Sequence, residues 1–237
     1  MQDVHSGHRN RLKERFLKNG LDTFEEHSLF ELLLFFAIPR RDTNELGHRL
    51  ISRFGSVSGV FDAPYHELIK VEGVGHNAAV LIKLIPDLAR AYLDDKYADR
   101  GLLDSTAKLG EYLKHKFVGR TNEVVYLLCL DHKCKLLHQE IVAEGSLDTV
   151  PILPRRLIEP AVRVGAASVV LAHNHPQGFA IPSKKDVETT RRLSQGMESI
   201  GICLLDHFII ARDEYVSMAD LGVLTMRREG TTSLLSE

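Results

Sequence analysis

The stretch LAHNHPQGFAIPSKKD, residues 171–186, decides how the larger part of the chain is read. A continuously apolar run over 167–172 leads into it and reads as a strand covered on both faces. The run then breaks into His173-Asn174-His175. Side chains alternate on an extended chain, so His173 and His175 share one side and Asn174 takes the other. Two imidazoles side by side at a strand end pack poorly in a core but are good metal ligands. Pro176 and Gly178 stop the strand and turn the chain. Asp186 falls in the first turn of the helix expected over 183–200, where a carboxylate can swing back to the strand end. Three protein ligands leave a fourth tetrahedral position for water, which marks a catalytic rather than a structural site. A plainer reading stands beside this one. Ser183-Lys184-Lys185-Asp186 is an S-x-x-D capping box that explains both residues by itself, and a lone His-x-His is usually a surface or packing feature.

Outward from this stretch, the second half of the chain alternates strands and helices. Residues 124–130 and 136–142 read as a hairpin around DHKCK, 154–164 as a helix, and 203–210 and 215–218 as two further strands. Strands mixed with helices make an α/β fold, a mixed sheet sandwiched by helices. The first ninety residues read as helices instead. A solvated helix is expected over 9–18. A helix over 25–38 is apolar nearly all round, interrupted by Glu31 and ended by Pro39. Asp42 or Thr43 caps a helix over 44–54 that Gly55 stops. A short helix is expected over 65–70, and VEGVGHNAAVLIK then turns into a helix reaching about residue 93. The charged, weakly periodic segment near 94–105 places the boundary, giving an all-α domain over 1–95, an α/β domain over 105–227 and a flexible polar tail over 228–237.

Bulk properties exclude several classes. The chain has 237 residues, 44% hydrophobic and 26% charged, which is ordinary for a globular protein and argues against disorder. The net charge is -2, and Lys+Arg and Asp+Glu stand at 14 and 15 in residues 1–100 and at 16 and 17 in the remainder. No basic field announces a nucleic-acid partner. Three cysteines, Cys129, Cys134 and Cys203, make no disulfide framework and read as reduced thiols. The N-terminus does not read as a secretory signal, and the greasy run 29–38 is too short to span a bilayer, so a cytoplasmic protein without membrane attachment is expected.

The spacing His173-x-His175, seven residues, Ser183, two residues, Asp186 resembles the JAB/MPN (JAMM) metalloprotease domain. More closely, the chain is similar to bacterial RadC-type proteins. The resemblance rests on HNHP-x-G, PS-x-x-D, the LLDH ending at His207, YVS, the closing LGVL and the lead-in PRRLIEPAVRVGAASVVLAHNHP. Gln177 departs from the family, which usually has Ser there, at a position that is not a ligand in the pattern. The resemblance implies one Zn²⁺ per chain on His173, His175 and Asp186, a general base at the start of the first strand, and Ser183 as an oxyanion stabiliser. Glu123, opening NEVVYLLCLD, is matched to that base, with Glu140 and Glu144 as rivals. Zinc lowers the pKa of bound water to about 7, and the base would take its proton and pass it to a leaving amine, so hydrolysis of a peptide or isopeptide bond in a protein substrate is expected. Two His and one carboxylate also form the facial triad of non-haem iron oxygenases; the Ser183 spacing and Glu123 favour zinc. Zinc nucleobase deaminases need H-x-E and P-C-x-x-C, whereas His173-Asn174-His175 lacks the Glu and no C-x-x-C exists.

VEGVGHNAA, residues 71–79, resembles a helix-hairpin-helix loop. Gly73 and Gly75 permit tight turning, and the following helix start offers N–H groups to a phosphate, with Lys83 among the nearest cations. The competing function is therefore a DNA-binding repair or recombination accessory protein in which the metal site is structural or inactive. A third reading is a silent interaction scaffold.

Overall fold

The computed structural model describes residues 4–97, 101–145 and 154–224. The expected tail over 228–237 lies outside the described residues, as does part of the expected boundary segment. Contacts divide the chain into two compact units, Met1–Ala89 and Arg90–Glu237.

The first unit is helical: α1 (Val4–Asn19), α2 (Glu26–Ala37), α3 (Asn44–Phe54), α4 (Val57–Asp62), α5 (Tyr65–Leu68) and the first part of α6 (His76–Lys96). Its core joins Phe30 and Leu34 of α2 to Leu46 and Leu50 of α3, Val60, Leu68, and Ala78 and Ile82 of α6. Glu31, which interrupts the apolar run in the sequence, is buried. Its carboxylate meets His8 Nε2 at 2.7 Å and accepts from Asn44 Nδ2 at 2.8 Å, so the inward charge is hydrogen-bonded rather than orphaned. Gly55 ends α3 in the left-handed region (φ 82°), donating to Ile51 O. At the start of α3 the N-cap position is Thr43, but its hydroxyl donates to Glu31 O and makes no cap bond; Asp42 Oδ1, one residue earlier, accepts from Asn44 N at 2.9 Å. Helix α4 was not expected from the sequence. It is a single short turn-and-a-half started by Ser56, whose Oγ accepts from Gly59 N at 3.0 Å. Helix α6 continues through Pro86 into the segment expected to be the boundary.

The second unit holds α7 (Thr106–Lys116), β1 (Val124–Leu130), β2 (Leu136–Glu144), α8 (Arg155–Arg163), β3 (Ser168–Asn174), α9 (Lys184–Glu198), β4 (Cys203–Ala211) and β5 (Glu214–Ser217). The five-stranded sheet runs β2-β1-β3-β4-β5. It is mixed, with β3 and β4 parallel and the other pairs antiparallel. A parallel pair needs a crossover, and α9 supplies it. This is the expected α/β sandwich preceded by a helical region. Helix α7 was missed: it is capped by Ser105, whose side chain accepts from Lys108 N, and its Leu109, Tyr112 and Leu113 cover one sheet face.

Strand alternation then places the site. Val125, Leu127, Cys129, Val169 and Leu171 face α8 and α9, while Val124, Tyr126, Leu128, Val170 and Ala172 face α7. Continuing the alternation along β3, His173 falls on the α9 face and Asn174 on the α7 face.

Candidate metal centre

β3 ends in His173 and Asn174, and His175 follows at once, its N–H held by Ile210 O of β4 at 2.8 Å. The chain turns back through Gly178, whose N–H reaches His175 O at 3.2 Å. The turn is tight: a Cβ on Gly178 would lie 3.2 Å from His175 Cβ. Helix α9 then begins over the strand end, bringing Asp186 to the imidazoles.

His173 Nε2 lies 3.0 Å from His175 Nε2 and 3.4 Å from Asp186 Oδ1, and His175 Nε2 lies 3.8 Å from Asp186 Oδ2. Among the described residues these side chains form a group able to hold a metal ion, with all ligand atoms within 4.8 Å of one another. A tetrahedral ion with bonds of ~2.0–2.1 Å has ligand–ligand edges of about 3.3 Å, so the triangle fits a small divalent metal. The donor chemistry fits as well. His173 is fully buried, and burial, with His207 and His175 nearby, holds its pKa well below the usual range despite Asp186, so its ring is neutral, the form that ligates. His175 Nδ1 donates to Phe179 O at 3.0 Å. A carbonyl can only accept, so the proton sits on Nδ1 and Nε2 faces the other two donors.

Asp186 is 4% exposed and accepts at Oδ2 from both Ser183 N and Ser183 Oγ at 2.7 Å, while Asp186 N donates to Ser183 Oγ at 3.1 Å. The capping box is fully formed, and the same carboxylate borders both histidines. The cap and the approach to the imidazoles are geometrically compatible. In this arrangement the Ser183 hydroxyl proton is directed at Asp186.

Glu123 is half-buried just before β1 and lines a cavity of about 500 Å³ with Asn122, His175, Pro176, Gln177 and Gly178. Its two rivals stand elsewhere. Glu140 on β2 meets His138 Nε2 at 3.1 Å and Arg163 at 3.7 Å and borders a separate cavity with Arg156 and Glu159. Glu144 is exposed at the end of β2, opposite Val124.

Three residues at the centre escaped the sequence reading. Asn174 Oδ1 accepts from Val124 N at 2.7 Å and its Nδ2 donates to Asn122 O at 3.0 Å, tying the ligand strand to the segment that carries Glu123. His207 Nε2 lies 2.8 Å from His173 Nδ1, and His207 Nδ1 lies 2.6 Å from Thr190 Oγ1. The signal for His207 was a polar Asp206-His207 pair inside an otherwise apolar strand. Asp206 turns the other way: its carboxylate accepts from His207 N, Ser217 Oγ and Ala219 N at 2.6, 2.5 and 2.9 Å. Cys129, Cys134 and Cys203 are free.

The hairpin residues belong to the helical unit. Gly73 is left-handed (φ 94°), and Gly75 immediately precedes α6. Lys83 Nζ donates to Phe61 O at 2.7 Å and Ala63 O at 3.2 Å. Nearby, Arg53 pairs with Glu67 at 2.9 Å, Lys70 also pairs with Glu67, and Arg49 pairs with Glu45 at 2.7 Å and Glu72 at 3.5 Å. Among the described residues, no helix is long and apolar enough to cross a membrane.

Against known proteins, the family described as RadC-like JAB domain matches residues 103–223. A UPF0758 protein of Fusobacterium nucleatum subsp. nucleatum is 32% identical over 225 residues, covering 92% of this chain and 97% of that protein.

Proposed function

This chain belongs to the RadC-like JAB domain family, and from that premise we propose that it is a zinc-dependent hydrolase that cleaves a peptide or isopeptide bond. The observation that carries the proposal is the convergence of His173, His175 and Asp186 within 4.8 Å, with His175 also lining the cavity that Glu123 lines. Zinc held by those three residues would supply a Lewis acid and would lower the pKa of a water toward neutral pH.

The chain's own residues do the rest. The Glu123 carboxylate accepts the proton of the attacking water, whose oxygen adds to the scissile carbonyl carbon. As the C–N bond breaks, Glu123 returns that proton to the leaving nitrogen. Asn174 fixes the segment bearing Glu123 through Val124 N and Asn122 O. Ser183 orients Asp186 through its N–H and hydroxyl; rotation of that hydroxyl would make it a donor to a developing oxyanion. The competing role in DNA repair rests on the hairpin over 71–79, and the paired state of Arg49, Arg53 and Lys70 weighs against it.

Zinc content by elemental analysis tests the reading. We expect about one zinc per chain in the wild type and none in His175→Ala or Asp186→Asn. Glu123→Gln should keep the zinc and lose cleavage of a mixed peptide library by about a hundredfold or more. A wild-type protein without zinc, or zinc retained in both ligand variants, would sink the metalloenzyme reading. Zinc with equal cleavage by wild type and Glu123→Gln would remove Glu123 from its role.

A further inference from the structure

We propose that Thr190 and His207 form a hydrogen-bond relay that dictates which nitrogen of His173 is free to bind metal, making both of them positioning residues for the centre. The proposal rests on the metal-centre reading above and adds two residues to it.

The argument is one of hydrogen counting. Thr190, on α9, is fully buried, and its hydroxyl has a single proton. That proton goes to Asp186 O at 2.6 Å, since a carbonyl cannot donate; Met218 Sδ at 3.5 Å is a much weaker acceptor. At 2.6 Å from His207 Nδ1, Thr190 Oγ1 can then only accept, so His207 carries its proton on Nδ1. His207 is fully buried in the sheet, where the charged imidazolium is costly, so Nε2 is a bare acceptor. Its partner at 2.8 Å, His173 Nδ1, must therefore be the donor. His173 Nε2 is left with an open lone pair, aimed at His175 Nε2 and Asp186 Oδ1.

The consequence is specific. His175 is locked in the same tautomer by Phe179 O. Two nitrogen lone pairs and the two oxygens of the Asp186 carboxylate thus face one another at 3.0–3.8 Å, an arrangement that a cation between them relieves. The relay also starts on the backbone of Asp186, the third member of the triangle. One residue of α9 supplies the carboxylate while its carbonyl, four residues before Thr190, orders the protons on the opposite side of His173. Outer groups of this kind fix ring orientation and ligand basicity.

Ring-nitrogen NMR of the metal-free protein and zinc titration test the relay together. In the wild type, His173 is expected as the Nδ1–H tautomer. Thr190→Val, nearly isosteric, should move His173 toward Nε2–H and weaken zinc binding about 10- to 100-fold, and His207→Phe should weaken it comparably. Thr190→Ser keeps the hydroxyl and should restore both readouts. The relay is overturned if Thr190→Val, or His207→Phe where Thr190→Val does not fold, leaves zinc affinity and the His173 tautomer as in the wild type. The two readings fail separately. A wild type that binds no zinc, with a tautomer that still follows Thr190, removes the metal centre and keeps the relay. Zinc binding indifferent to both variants does the reverse.

Discussion

Asn174 accepts the backbone N–H of Val124 at 2.7 Å, across the sheet from the histidines on either side of it. Both residues are buried. Replacing Asn174 with Ala leaves that N–H and the Asn122 carbonyl without their partner, so Asn174→Ala should cost about 1–3 kcal/mol in urea unfolding. Because Asn174 points away from the triangle, zinc per chain should stay as in the wild type. Loss of zinc together with unchanged stability would show that Asn174 serves the metal and not the segment before β1.

Acid should destabilise the metal-free protein through its buried histidines. Burial, with the His175 charge nearby, lowers the His207 pKa from 6.5 to about 3. Above pH 6.5 both folded and unfolded chains carry it neutral. As pH falls, the unfolded chain takes up the proton first, so stability present above 6.5 is lost toward pH 3, by up to about 5 kcal/mol for this residue. His173 acts in the same direction. Asp206 opposes them, because burial raises its carboxyl pKa and the folded chain binds that proton first. The urea midpoint should drop between about pH 6.5 and about pH 4; a constant or rising midpoint would contradict the account.

Close packing of α2 on α3 depends on Gly47. A Cβ there would meet His27 O at 2.3 Å and Glu31 N at 3.3 Å, backbone atoms that cannot rotate away. Gly47→Ala should therefore destabilise the helical unit by about 1–3 kcal/mol or more. Gly75→Ala, with open space around it, should change stability by no more than about 0.5 kcal/mol in the same thermal melts. Equal effects at the two positions would refute the packing argument.

Duplex DNA should bind weakly and with little salt dependence. The cations around the hairpin are already committed: Lys83 to Phe61 and Ala63 carbonyls, Arg53 and Lys70 to Glu67, Arg49 to Glu45. The logarithm of affinity falls with that of salt by about 0.9 per phosphate neutralised, so a slope shallower than about -2 is expected from fluorescence anisotropy. A slope steeper than about -4 that Gly73→Val and Gly75→Val abolish would instead assign the helical unit to the nucleic-acid backbone.

The sequence by itself determined the features that depend on neighbours along the chain. The continuous apolar runs gave β1 and β3, Gly55 stopped α3, and the S-x-x-D spacing put Asp186 in the first turn of α9 with its cap formed. His173 and His175 could be paired because strand alternation is a local rule. Short elements were harder. Helix α4 is six residues long, and the apolar stripe of α7, Leu109, Tyr112 and Leu113, is short and follows a charged segment. What only the tertiary structure decided is which distant groups meet. Glu123 was preferred to Glu140 and Glu144 by the family resemblance alone, and only the fold puts Glu123 on the cavity that His175 lines while Glu140 meets Arg163. His207 and Thr190 lie 34 and 17 residues from His173 and reach it through the parallel β3–β4 pair and the α9 crossover. Their role follows from hydrogen-bond directions over less than 3 Å, and no periodicity along a chain encodes a contact between residues that only folding brings together.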